Sequence, residues 1–107
     1  MKLEECPVHH TMKFIGGKWK PIILYFLQEG TKRSAELSRQ IPEASAKMLT
    51  QQLRELERDG VVQRKIYATM PPKVEYSLTE LGDSLRPVMK SLCDWGDAVG
   101  RKHRLTH

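Results

Sequence analysis

The sequence predicts a mainly α fold with one small β-hairpin, an α+β class, on three observations. Apolar residues recur at helical spacing along most of the chain. β-branched and aromatic residues concentrate in two short neighbouring stretches, Val61 to Tyr67 and Val74 to Leu78. The third observation is bulk: 107 residues with 39% apolar and 29% charged side chains suit one packed domain over residues 1–107.

Each element follows in order. Cys6 and Pro7 read as a helix start, because proline is tolerated where a backbone N–H has no helical partner. Val8, Met12 and Ile15 make one apolar stripe before Gly16 and Gly17 break the pattern. The run WKPIILYFL from Trp19 to Leu27 is apolar nearly all round, so a helix there belongs at the centre of the core, and Gly30 ends it. From Arg33 to Gln40 a short helix places Leu37 and then Ile41 inside, with Glu36 and Arg39 outside. It stops before Pro42, whose ring disfavours a helical residue ahead of it. Ser45 caps the next helix, Ala46 to about Asp59, so two short helices meet across a tight turn, the pattern of a helix-turn-helix.

That second helix is two-sided. The 3.6-residue period puts Leu49, Leu53 and Leu56 on one face and Lys47, Thr50, Gln51, Arg54 and Arg58 on the other. Gly60 closes it. The two strands follow, joined by the tip ATMPPK, with Arg64, Lys65 and Lys73 on or beside the hairpin. A basic hairpin directly after a polar-faced helix is the layout of a winged helix.

Thr79 is expected to cap one long final helix. Its residues Leu81, Leu85, Val88, Leu92, Trp95 and Val99 are spaced 4, 3, 4, 3, 4, a heptad seam, and Pro87 inside it should kink the helix. Such a seam either covers its own domain or packs against a second subunit. The second reading makes Leu85, Val88, Leu92, Trp95 and Val99 a homodimer seam.

Charge narrows the function. Lys and Arg number 18 against 13 Asp and Glu, a formal charge of +5. Residues 32–73 hold nine positive and five negative side chains, so most of the excess lies in the turn-linked helices and the hairpin. A solvated helix face would give the same excess, and charge alone leaves both readings open. No apolar run approaches the roughly 18 residues of a membrane helix, and MKLEECPVHH has acidic residues where a signal peptide would have an apolar core. A cytoplasmic protein without a membrane partner is expected, with Cys6 and Cys93 as free thiols. The chain holds no phosphate loop, GxSxG elbow or HExxH helix, so neither an enzyme nor a cofactor is expected. Cys6, His9 and His10 fall short of a zinc site, since His103 and His107 lie in a C-terminal end expected to fray.

The organisation does point to double-stranded DNA. The major groove, about 12 Å wide, admits one helix, and Lys, Arg, Gln and Thr are residue types that read base edges there. Ser45, Lys47, Thr50, Gln51 and Arg54 are the expected recognition residues, with Arg33, Ser34, Arg58, Arg64, Lys65 and Lys73 on the DNA backbone. A winged helix used for protein–protein contact, its basic stripe merely solvated, is the alternative.

The segments KMLTQQLRELERDGVVQRKIY, PPKVEYSLTELG, CPV and GGKWKPIIL together resemble the HxlR-type winged helix-turn-helix transcriptional regulators of bacteria, over nearly the whole chain. The resemblance implies a homodimer held mainly by terminal helices, with two recognition helices in successive major grooves of an inverted-repeat operator and the wings on flanking backbone. A repressor is the expected sign of regulation. Some members of the family sense oxidants or electrophiles through an N-terminal cysteine, a position that Cys6 matches. A thiol at a helix start near His9, His10 and Lys13 suits that chemistry, although a lone cysteine is often a small buried hydrophobe. Where members pair that cysteine with one from the other subunit, Cys93 is the available partner. One departure is Ser34, where the family commonly has an aromatic residue; it either loosens the helix or serves as a cap or phosphate donor.

Overall fold

The structure, a computed structural model, describes residues 1–106, with side chains through Gly100. The side chains of His103 and His107, and the expected fraying there, lie outside the described residues.

After a single 3-10 turn at Leu3–Glu5, Pro7 opens α1 (Pro7–Ile15), and the Gly16 N–H closes it on the Met12 carbonyl at 2.8 Å. Of the stripe expected on this helix only Ile15 is buried; Val8 and Met12 are exposed. Helix α2 (Trp19–Leu27) is the centre of the core, with Ile23, Leu24 and Leu27 no more than 1% exposed. It packs on the next two helices, Ser34–Gln40 and Ala46–Arg58, and on the sheet, as its all-round apolar character requires.

The next segment differs from expectation. Lys32–Arg33 form a two-residue strand, β1, and the helix α3 begins one residue later (Ser34–Gln40). Arg33 is extended (φ −84°, ψ 156°), and its N–H donates to the Glu36 carboxylate at 3.1 Å. Arg33 is therefore the cap residue, and Ser34, offered above as a cap, is the first helical residue instead. Two residues are too few to show a strand's period of two, so the sequence pattern does not register β1.

After the turn 41–45, α4 spans Ala46–Arg58, and the Ser45 hydroxyl accepts from the Met48 N–H at 3.1 Å, the cap expected of it. Gly60, at φ +78°, makes the left-handed turn that ends the helix. Strands β2 (Val62–Tyr67) and β3 (Lys73–Leu78) pair antiparallel from Val62↔Leu78 to Tyr67↔Lys73. Because β1 pairs with the other edge of β3, the hairpin is part of a three-stranded sheet in the order β1-β3-β2.

The single kinked C-terminal helix is not observed. Thr79 caps a one-turn helix, α5 (Glu80–Asp83), accepting from the Gly82 N–H at 3.1 Å, and a separate helix α6 (Arg86–Thr106) follows. Pro87 is the second residue of α6, where its missing N–H breaks no bond, so it starts a helix rather than kinking one. Leu85, expected on the seam, falls between the two helices, half-buried against the core. Among the described side chains of α6 the buried anchor is Met89, which lies off the heptad seam. Gly82 packs against the Val61 carbonyl so closely that any side chain there would collide with backbone.

The core joins α2, α3, α4 and the sheet through Leu37, Ile41, Leu49, Leu53, Leu56, Val61, Val62 and Tyr76. Leu53, 2% exposed, lies at the junction of α4 with this core. Leu53→Ala should lower unfolding stability by about 2–5 kcal/mol, the range for a truncated buried leucine, read from urea denaturation.

Candidate nucleic-acid interface

Helix α4 carries the candidate site, and its orientation follows from its sequence. Leu49, Leu53 and Leu56 are buried at 3% or less, which turns Lys47, Thr50, Gln51 and Arg54 outward. Those four, with Ala46, line one open groove on the protein surface. Ser45 precedes the helix at the same end, so residues 45–54 present a mainly polar strip with Ala46 within it. Such a strip offers donors from Lys and Arg, both polarities from Gln, and a methyl group from Thr.

An ion pair absent from the sequence reading adds to the leucines. Lys20 on α2 is buried at 8% exposure, and its Nζ lies 2.6 Å from Glu55 Oε1 on α4. The hydrogen bond from Lys20, and then its charge, hold the Glu55 carboxyl below the ordinary carboxylate range, against a smaller opposing effect of burial. The signal in the sequence is a lysine set inside the otherwise apolar WKPIILYFL, a position that a charged group occupies only with a partner.

The expected backbone contacts divide into two groups because neighbouring strand residues point to opposite faces. Arg64 stands toward α4, 3.6 Å from the Glu57 carboxylate, and Arg58 is hydrogen-bonded to its neighbour Asp59 at 3.2 and 3.4 Å. The Asp59 hydrogen bond and charge raise the Arg58 pKa. Arg33, Lys65 and Lys73 gather on the other face around Glu75, which pairs in register with Lys65 on one side and Arg33 on the other. An open hollow between the start of α3 and the wing tip is lined by Arg33, Ser34, Lys73 and residues 69–72. Ser34 is exposed at its edge.

Val88, Leu92 and Trp95 of the expected seam project from α6, Trp95 being 72% exposed, while Val99 is half-buried. The alternative that the seam covers its own domain fails for Trp95. Cys6 and Cys93 are free and half-buried, Cys6 as the residue preceding α1. Among the described residues, no group of three or more His, Cys, Asp or Glu side chains is placed to hold a metal ion, and no helix is long and apolar enough to cross a membrane.

Comparison with known proteins agrees with this geometry. A family model described as HxlR-like helix-turn-helix matches residues 14–104. The HTH-type transcriptional regulator YkvN of Bacillus subtilis is 56% identical over 96 residues, 90% of this chain and 81% of that protein. Among solved structures, the redox regulator HypR in its reduced form superposes with a TM-score of 0.86 at 46% identity, covering 95% of this chain and 100% of that one. Its oxidised form gives 0.83 at 50% identity, over 87% and 96%.

The Glu55 shift has a signed consequence. A carboxylate whose pKa is depressed by folding adds stability above its unfolded value and loses it as pH falls through the folded value. The stability difference between the wild-type chain and Lys20→Met should therefore be largest above the ordinary carboxylate range and shrink as pH falls below that range and Glu55 protonates. Urea midpoints across that range measure it, and a difference independent of pH would contradict the role given to the pair.

Proposed function

The chain belongs to the HxlR-like helix-turn-helix family, and from that premise we propose a dimeric cytoplasmic repressor that binds an inverted-repeat operator. The family's members are transcription regulators that bind DNA, not enzymes. In the proposed complex residues 1–107 act as one domain and insert α4 into the major groove. Lys47, Thr50, Gln51 and Arg54 read base edges, and Ser45 joins them at the helix start. Arg33, Ser34, Lys65 and Lys73 lie along the phosphates, with Arg58 and Arg64 reaching backbone by exchanging their internal carboxylate partners for phosphate. The observation that carries this reading is the outward strip on α4, held in one orientation by buried leucines and the Lys20 pair.

Dimerisation is supported by apolar surface left on two helices, Val8 and Met12 on α1 and Val88, Leu92 and Trp95 on α6. A long helix with that much exposed apolar surface is better covered by a second copy. One domain offers one recognition helix, so two chains would supply the second half-site about 34 Å away.

Binding to labelled operator fragments, selected from genomic DNA, tests the reading. Affinity should fall steeply as salt rises, through counterion release, and protection should cover two half-sites. Gln51→Ala should cost about 1–3 kcal/mol at one base position, whereas Lys73→Ala should weaken all sequences alike and reduce the salt slope by about one. Absence of DNA affinity at low salt would favour the protein–protein module instead.

A redox response is a second reading, favoured by the free Cys6 at the start of α1 and by the likeness to HypR, a redox regulator solved in both oxidised and reduced forms. Oxidation of Cys6, alone or in a bridge to Cys93 of the other subunit, would move the terminal helices and change the half-site spacing. Diamide should then release the wild-type chain from its operator and leave Cys6→Ser bound; equal release of both would dispose of the idea.

A further inference from the structure

The outer face of the sheet gathers charge in a way that neither the recognition helix nor the dimer surface uses. Its register puts Lys65 beside Glu75 and Tyr67 beside Lys73, and the other edge of β3 puts Arg33 beside the same Glu75. Lys73 Nζ is 3.4 Å from Glu75 Oε2. Both lysines also lie against one ring: Lys65 Nζ is 4.9 Å and Lys73 Nζ 4.8 Å from the Tyr67 centroid. Tyr67, with Lys73 and the charge of Arg33, lowers the Glu75 pKa against the opposing effect of burial. Three cations from three strands thus share one face: Lys73 is ion-paired to Glu75, Lys65 and Lys73 lie against the Tyr67 ring, and Arg33 pairs with Glu75 in register.

We propose that Glu75 and Tyr67 are positioning residues, which touch no DNA themselves but hold Arg33, Lys65 and Lys73 as one preformed cationic patch for the phosphate backbone. Lysine side chains lose rotamer freedom when they dock on phosphate, and ordering them beforehand removes that cost from the binding step. The ring attracts both ammonium groups by its quadrupole. The carboxylate draws in Lys73 and the residues beside it, while three cations against one anion leave the patch positive. Arg33 also precedes the first residue of α3, so the patch ties the wing to the helix-turn-helix.

The proposal rests on the DNA-binding reading, and it opposes the expectation from charge alone. Removing a negative group beside a polyanion should raise affinity. The positioning role requires the reverse. With a fluorescein-labelled mixed-sequence duplex at low salt, Glu75→Gln should bind more weakly by roughly three- to tenfold, the scale of a lost charge-assisted contact, with an unchanged thermal transition. Its salt slope should be shallower by about one. Tyr67→Leu should weaken binding similarly, and Tyr67→Phe, which keeps the ring, should retain more of the affinity. Glu75→Gln binding as tightly as wild type or more tightly would overturn the proposal. Should that variant fail to fold, equal affinities of Tyr67→Leu and Tyr67→Phe would overturn it. No binding by the wild-type chain would remove the DNA-binding reading itself, and the proposal with it.

Discussion

The rotation of α4 about its own axis is the constraint on which the rest of the molecule depends. A groove-reading helix is useful only if the same side chains face the DNA every time. The anchoring here is apolar: Leu49, Leu53 and Leu56 are buried against the core centred on α2. Apolar packing alone tolerates small slides, because dispersion and burial have little directionality. The Lys20–Glu55 contact at 2.6 Å adds a directional one, at the residue next to Arg54 and one turn past Gln51. The two kinds of contact do different work, the leucines supplying most of the stability and the ion pair a direction as well as its own smaller contribution.

The sheet extends that fixed frame to the wing. Thr79 accepts from the Gly82 N–H and donates to the Gly60 carbonyl, so the exit from β3 is tied to the turn that ends α4. The close approach of Gly82 to the Val61 carbonyl makes the same junction from the other side. Strand β1, although only two residues long, brings the start of α3 against β3. Helix α4, helix α3 and the wing therefore hold fixed positions relative to one another, and α1 and α6 extend from that frame with apolar surface uncovered.

Much of this was legible in the residues. The leucine and polar faces of α4 are read directly from helical period, the Ser45 cap from its hydroxyl and its place before the run, and the hairpin from its β-branched strands and two prolines. What escaped has identifiable causes. Strand β1 has no length over which alternation could show. Heptad spacing runs unbroken through Pro87 and so suggests a kink, yet the chain ends one helix and starts another there, and proline suits a first turn. Met89 is invisible to the same pattern, since a heptad assigned to a partner says nothing about which residue meets the chain's own core. The splitting of Arg64 from Lys65 and Lys73 was implicit in strand alternation, but the role of Glu75 at their centre needed the pairing register.

An NMR titration of the uniformly labelled full chain with a duplex carrying its selected operator tests the central claim most directly. The account expects the largest amide shifts at Ser45 to Arg54, with smaller ones at Arg33, Ser34 and the wing from Arg64 to Lys73, while the α2-facing leucines of α4 keep their positions. Shifts concentrated on α1 and α6, with Lys47 to Arg54 unmoved, would contradict it.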